Sequence, residues 1–277
     1  MAGDVEEVGG VIVYPSSRGS VKNVRIARFT SEDQPQYGVV EGDEIAVVTG
    51  DPLFSPIQPT GRRIKLDEVR LLAPVIPRSK VVAVGKNYVD HATEMGGEVP
   101  ENPLLFFKPN TAVIGPDDPI VLPAWSQEVS FEGELAVIIG RICKDVPVER
   151  VKEVVLGYTA ANDITARDIQ REENQWARAK GFDTSCPLGP WIDTTFDPAN
   201  ANITTRVNGE VHQDGNTEEM VRKVPELISY ISSAFTLLPG DVILTGTPAG
   251  VGPLQHGDHV EVEISELGTL TNPVLRR

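Results

Sequence analysis

Between Phe131 and Gly140 the chain reads Phe-Glu-Gly-Glu-Leu-Ala-Val-Ile-Ile-Gly, a strand-like run that is apolar except for two carboxylates at its start. Side chains alternate across a strand, so residues two apart point the same way. Glu132 and Glu134 therefore project together. Two carboxylates held that close repel, and partial burial raises the cost unless a proton or a cation sits between them. A strand with a solvated edge accounts for such a pair equally well. Asp163 shifts the balance, because it follows another apolar run, Val154–Ala161, at whose end a third carboxylate can converge on the first two.

A chain of 277 residues exceeds one average domain but suits one large β-rich domain with a small addition. Chains of this size bury roughly 70–75% of their unfolded surface, enough for a substantial core. The formal net charge of −15 argues against nucleic acid as a partner, which requires clustered Lys and Arg. Only Cys143 and Cys186 are present, so there is neither a disulfide framework nor a Cys-x-x-Cys knuckle. Both read as small buried hydrophobes. The acidic N-terminal stretch carries no basic or apolar signal region, and no apolar run approaches the roughly 20 residues that cross a bilayer. A cytoplasmic protein without membrane partners is the expectation.

Residues 1–20 are expected to be mobile. From Val21 to about residue 75, short strand-like runs (Val24–Phe29, Tyr37–Val40, Glu44–Val48) alternate with turns and predict a small antiparallel N-terminal domain. The Pro-punctuated stretch Arg70–Pro77 reads as a linker, and residues 76–277 as the main domain. There a strand at Lys80–Gly85 precedes a short helix, Tyr88–Met95, closed by Gly96-Gly97. Further helices are predicted at Val148–Val154, Thr165–Ala179 and Val224–Phe235. Asn208-Gly209 marks a hairpin turn after Ile203–Val207, and Asp258–Ile264 is another alternating strand. The pattern predicts a β-rich α+β fold, a mixed roll or sandwich with flanking helices.

Asp163, Arg167, Gln170 and Asn174 fall at helical spacing, which from spacing alone describes a solvated helix face. Lys180 ends that segment, where a cation also suits the helix dipole. His91 and Glu94 lie three apart on a predicted helix, and a carboxylate beside an imidazole fixes the tautomer a general base needs. Surface pairs of this kind are common. The loop Thr245–Gly252 lacks the Gly-Lys-Ser/Thr ending of a phosphate loop and reads as a substrate-facing turn or as plain turn chemistry. Taken together, three carboxylates form an all-oxygen set suited to Mg²⁺ or Mn²⁺ with open positions. Such an ion can be chelated by the carboxylate and ketone of a 2-oxo acid and act as a Lewis acid.

Several ordered stretches carry a resemblance: Val84–His91, Phe131–Leu135, Asn162–Asp168, Trp176–Gly181, Pro239–Pro248 and Gly250–Gly252. From about Leu71 to Val274 the chain resembles the fumarylacetoacetate hydrolase superfamily, in its short bacterial and mitochondrial branch. The resemblance implies a β-roll catalytic domain, a homodimer, and Mg²⁺ or Mn²⁺ on Glu132, Glu134 and Asp163. It also implies that Lys180 contacts the substrate's oxo group, that Arg167 and Gln170 line the pocket, and that Thr247 binds the substrate carboxylate. His91 and Glu94 match the family's water-activating dyad, on a segment that orders as a lid. Long eukaryotic members add a metal-binding Asp a few residues before this His; no acidic residue stands at that place, near Val84, which leaves three protein ligands.

Within such a family, three reactions share one site. The first expectation is hydrolysis of a C–C bond in a 2,4-dioxo acid such as fumarylpyruvate, with the dyad activating water. The second is decarboxylation of oxaloacetate or a related acid, and the third is isomerisation of a 2-hydroxydienoate in aromatic-acid breakdown. A metal-binding scaffold without turnover needs none of Lys180, His91 and Glu94, and their presence argues against it.

Overall fold

In the computed structural model, which describes residues 24–31 and 34–276 and two short paired strands at Glu6–Val8 and Val11–Val13, the Phe131 run lies at the centre of the fold. Most of the segment 1–20, expected to be mobile, lies outside the described residues. Gly133–Ile139 sits inside a twelve-stranded sheet with all seven residues buried, between Val155–Asn162 and Val242–Leu244, both antiparallel to it. Strands covered on both faces tolerate consecutive apolar residues.

Four α-helices occur among the described residues: α1 (Val89–Glu94), α2 (Arg167–Glu172), α3 (Ala177–Lys180) and α4 (Val224–Ala234). The two faces of the central strand feed different cores. Leu135, Val137 and Ile139 pack with Leu227, Ile228 and Ile231 of α4 and with Ile203 and Val262 of a second, five-stranded sheet. Ala136 and Ile138 pack with Ile26, Leu156, Leu188 and Ile192 on the other side. Glu132 and Glu134 share the parity of Ala136 and Ile138.

The five-stranded sheet runs Ile120–Leu122, Gly268–Arg276, His259–Ile264, Asn202–Val207, Glu210–Asn216. Its hairpin turns at Asn208 (φ 52°) and Gly209 (φ 83°), the doubly left-handed geometry for which Asn-Gly is suited. A third sheet of three short strands, Thr165–Ala166, Val129–Phe131 and Gly252–Pro253, ties together the segments around Glu132, Asp163 and Thr247. The fold is β-rich α+β, as expected. Among the described residues no helix is long and apolar enough to cross a membrane.

The N-terminal strands Arg25–Thr30, Gln36–Glu41, Glu44–Thr49 and Gln58–Lys65 are antiparallel, as predicted, yet they extend the twelve-stranded sheet. The join is Arg25–Thr30 against Cys186–Asp193. The expected linker is also partly strand, since Arg70–Leu72 pairs with Arg25–Thr30. Val148–Glu153 is a 3₁₀-helix.

The predicted helix Thr165–Ala179 is broken. Thr165–Ala166 is strand, α2 ends at Glu172, and α3 begins at Ala177. The reason is geometric. Arg167 and Lys180 both contact Glu132. In one continuous helix, thirteen residues would separate them by roughly 20 Å along the axis and by about 220° around it. The extended turn at Glu173 brings Lys180 back to the same carboxylate.

Candidate active site

Glu132, Glu134 and Asp163 are brought together by strand pairing. Gly133 opposes Asn162 in the antiparallel register, which places Asp163 beside Glu132, and the Asp163 N–H donates to the Glu132 carbonyl at 2.8 Å. Asn162 fixes the other side, its side-chain oxygen accepting from the Glu132 N–H at 2.9 Å. Each carboxyl group offers an oxygen within 4.8 Å of the other two, and all three residues are buried. The glycine between the glutamates is required by close packing. A Cβ at Gly133 would lie 2.1 Å from Thr205 Oγ1 of the second sheet.

Three cations meet two of these carboxylates. Lys180 Nζ donates to Glu132 Oε2 at 2.7 Å and to Asp163 Oδ2 at 2.8 Å. Lys108 Nζ donates to Asp163 Oδ1 at 2.5 Å and to the Lys180 carbonyl. Arg167 Nη2 lies 2.5 Å from Glu132 Oε1, an ion pair without the alignment of a hydrogen bond, while Nη1 donates to Gln170 Oε1 at 2.9 Å. Arg167 and Lys180 are only 4% and 3% exposed, so neither decorates a solvated helix face. Asn174 is exposed and takes no part. Asp163 precedes the helix rather than sharing its face.

No ion pair reaches Glu134 among the described residues; its Oε2 accepts a 2.7 Å hydrogen bond from the Gly246 N–H. Gly246 sits at φ 96°, where a side chain is disfavoured, and a Cβ there would lie 2.8 Å from Asn87 Cβ. Burial, then the Asp163 and Glu132 carboxylates, push the Glu134 carboxyl well above the usual range. Burial also raises Glu132, but Arg167, then Lys180, outweigh it and hold that carboxyl well below the ordinary value.

The donor set fits a hard divalent cation. Glu134 is a buried carboxyl lacking a partner charge, its neighbours are two more carboxylates, and all three offer oxygen. Glu132, Glu134 and Asp163 would hold such an ion.

These groups form the wall of a cavity of about 180 Å³ that opens to solvent, room for a small organic acid. Lys180, Arg167, Gln170, Thr247 and His91 line it with the two glutamates. His91, on α1, is 5% exposed, and its Nδ1 lies 3.2 Å from Glu94 Oε2. Glu94 Oε1 accepts from the Gly250 N–H at 3.1 Å, so the Gly-rich turn orients the dyad. Thr247 Oγ1 donates to the Gly133 carbonyl at 2.8 Å and accepts from Gln213 Nε2 at 2.6 Å.

His91, Glu132, Glu134, Arg167, Gln170, Lys180 and Thr247 therefore line one cavity, with Asp163 and Glu94 bonded directly to residues of its wall, while Asn174 stays outside it. Lys108 and Gln213 were missed. Lys108 ends the apolar run Leu104–Phe107 and is 1% exposed; a lone Lys closing an apolar strand was the available signal. Gln213 bridges Thr247, Pro248 and the Gly133 N–H from an exposed hairpin strand, and nothing local marks it.

Residues 80–275 match the family described as fumarylacetoacetate (FAA) hydrolase C-terminal. The chain belongs to this family. Residues 24–74 match the Rv2993c-like N-terminal family. Human mitochondrial oxaloacetate tautomerase FAHD2A is 49% identical over 220 residues, covering 75% of this chain and 70% of that protein. The crystal structure of 2-hydroxyhepta-2,4-diene-1,7-dioate isomerase from Mycobacterium marinum is 48% identical, with a TM-score of 0.85 over 92% of this chain and 99% of that one. Maleylpyruvate hydrolase from Sphingobium sp. SYK-6, solved with manganese(II) and pyruvate, is 36% identical, with a TM-score of 0.76 over 91% of this chain and 99% of that one. The maleylpyruvate hydrolase structure holds manganese(II), and the buried acidic triad here offers an all-oxygen donor set suited to such an ion.

Proposed function

We propose that the protein is a Mg²⁺- or Mn²⁺-dependent enzyme of small 2-oxo acids that works through an enolate, with His91 as its base. One observation carries the reading: His91, oriented by Glu94, lines the same cavity as Glu132, Glu134 and Lys180. A divalent ion on the three carboxylates supplies Lewis-acid polarisation of the 2-oxo group. The chain's own residues do the rest. Thr247 faces the substrate carboxylate, its hydroxyl turning from the Gly133 carbonyl to donate to it, and Lys180 stabilises the charge that develops on the oxo oxygen. Glu94 holds Nδ1, which leaves Nε2 as the proton acceptor.

For keto–enol conversion or double-bond isomerisation, His91 removes a proton from the carbon beside the oxo group and returns it to oxygen or to a more distant carbon. Similarity to the tautomerase and the isomerase at 48–49% identity favours this reaction. A second reading, hydrolysis of a 2,4-dioxo acid, draws on a different observation. The Glu94 side chain is 34% exposed, so water reaches the dyad, and a proton removed from that water lets hydroxide attack the distant carbonyl. Cleavage then releases a carboxylic acid and the enolate of pyruvate.

The test is a panel of enol-oxaloacetate, a 2-hydroxydienedioate, acetylpyruvate and fumarylpyruvate, each with Mg²⁺, Mn²⁺ and chelator. Metal-dependent loss of the enol or diene absorbance without new acid identifies proton transfer. Stoichiometric release of pyruvate identifies hydrolysis. Turnover that persists unchanged in chelator would overturn the site. Decarboxylation of oxaloacetate needs no water and no base, so it is expected to survive His91→Ala while the other two reactions fall about 10²–10⁴-fold.

A further inference from the structure

Lys86 stands at the cavity with a charge that nothing uses. It follows the strand Val81–Gly85 and lines the cavity beside His91, Met95 and Trp176. The other cations lining that space are committed: Arg167 to Glu132 and Gln170, Lys180 to Glu132 and Asp163, Arg171 to Glu128. Among the described residues, no hydrogen bond or ion pair reaches Lys86.

Its backbone is held in an unusual state. Lys86 sits at φ 56°, the left-handed region that non-glycine residues rarely adopt and that persists only where the surroundings impose it. The next residue, Asn87, is firmly anchored. The buried Asn87 amide donates to the Thr245 carbonyl at 2.8 Å and to the Arg222 carbonyl at 3.0 Å, and its oxygen accepts from the Arg222 N–H at 2.9 Å. Space for the side chain is also provided. A Cβ at Gly97 would fall 2.6 Å from Lys86 Nζ, so the glycine after α1 leaves room for the ammonium.

We propose that Lys86 binds a second, distal carboxylate of the substrate, so that the site favours 2-oxo diacids over 2-oxo monoacids. The inference rests on the 2-oxo acid reading above and names the class within it. Lys180 and Thr247 serve the 2-oxo acid end. Lys86 adds a positive charge with no ion pair of its own in a half-buried place, where an ion pair is stronger than in open water. A monoacid leaves that ammonium unpaired.

The experiment measures binding to the full chain with Mn²⁺ by calorimetry, using pairs matched in carbon number: 2-oxoglutarate against 2-oxopentanoate, and 2-oxoadipate against 2-oxohexanoate. The parent is expected to bind a diacid about tenfold more tightly than its monoacid, as one charge-assisted contact allows. Lys86→Met and Lys86→Gly bring the diacid to the monoacid's affinity and leave the monoacid unchanged; Lys86→Arg keeps the preference. Lys86→Gly suits φ 56°, so its thermal midpoint is expected at or above the parent's. Equal loss for both acids would show that Lys86 only props the end of α1, and an unchanged preference in Lys86→Met would also overturn the proposal. Failure of the parent to bind any of these acids in the presence of Mn²⁺ would remove the 2-oxo acid site itself, and this inference with it.

Discussion

Glu134 is the residue on which the charge balance of the triad turns. Burial and the neighbouring Asp163 and Glu132 carboxylates push its carboxyl well above the usual range, so the metal-free protein favours the protonated form. A metal ligand must be the carboxylate, so loading with Mg²⁺ or Mn²⁺ is expected to release a proton. Affinity then rises with pH until the raised value is passed. Calorimetry in two buffers of different ionisation enthalpy reads the proton directly, and an apparent enthalpy independent of buffer would refute it. The two glutamates also oppose each other in folding. Glu134, raised in the folded state, stabilises the metal-free chain at low pH and loses that contribution as pH climbs through its folded value. Glu132, lowered, contributes above its unfolded value, and that stability is lost as pH falls toward its depressed one. Exchange of Glu134 for Ala removes a ligand, so metal-dependent turnover of every substrate is expected to disappear. The cysteines take no part in any of this: burial pushes the Cys186 thiol up to about 12, and the Cys143 thiol also rises. Neither is expected to react with a thiol reagent at pH 8 in the native protein, whereas both react once it is unfolded.

At the scale of elements, what the sequence conveyed depended on whether the determining contacts were local. The Glu132-Gly133-Glu134 strand, the Asn208-Gly209 hairpin and α1 with its glycine stop were legible because alternation, turn chemistry and helix termination act within a few residues. The break between α2 and α3 was not legible. No Pro or Gly marks it; two distant cations converging on Glu132 impose it. The strand Cys186–Asp193 was hidden for a related reason: Pro187 and Pro190 lack the N–H that a strand inside a sheet donates, so the local pattern argues against one there. The burial of Lys108 likewise belongs to the assembled sheet rather than to its own segment. The glycine between the glutamates is the clearest case of a local motif with a distant cause. Gly133→Ala puts a methyl group where Thr205 Oγ1 already stands, at 2.1 Å. Overpacking at a rigid, fully buried site costs about 1–3 kcal/mol. The expected result is a lower unfolding midpoint in denaturant with weakened metal binding, and unaltered stability would mean that the sheets separate easily at this point.

Across the whole molecule, the site depends on a sheet that two sequence families share. Arg25–Thr30 pairs with Cys186–Asp193, and the same strand Cys186–Asp193 lies against Val155–Asn162, whose last residue precedes Asp163. Ile26, Ile57 and Val75 belong to the same core as Ala136 and Ile138 behind the glutamates. A homodimer, implied by the family resemblance, is expected to show twice the 30.0 kDa chain mass by light scattering. The N-terminal portion is then more than an appendage. Removing residues 1–74 would strip Ile26 and Ile57 from that core, at roughly 1.5–3 kcal/mol for each fully buried aliphatic side chain. It would also leave the paired edge of Cys186–Asp193 open, with Asp193 deprived of Arg25. An uncovered sheet edge pairs with other chains. The truncated chain 75–277 is therefore expected to aggregate, and any soluble fraction to melt well below the parent and to bind Mn²⁺ weakly, because the strand before Asp163 has lost its support. A truncated chain that stays monodisperse, with the parent's melting midpoint and Mn²⁺ affinity, would show instead that the catalytic portion completes its own sheet and that the N-terminal strands merely rest against it.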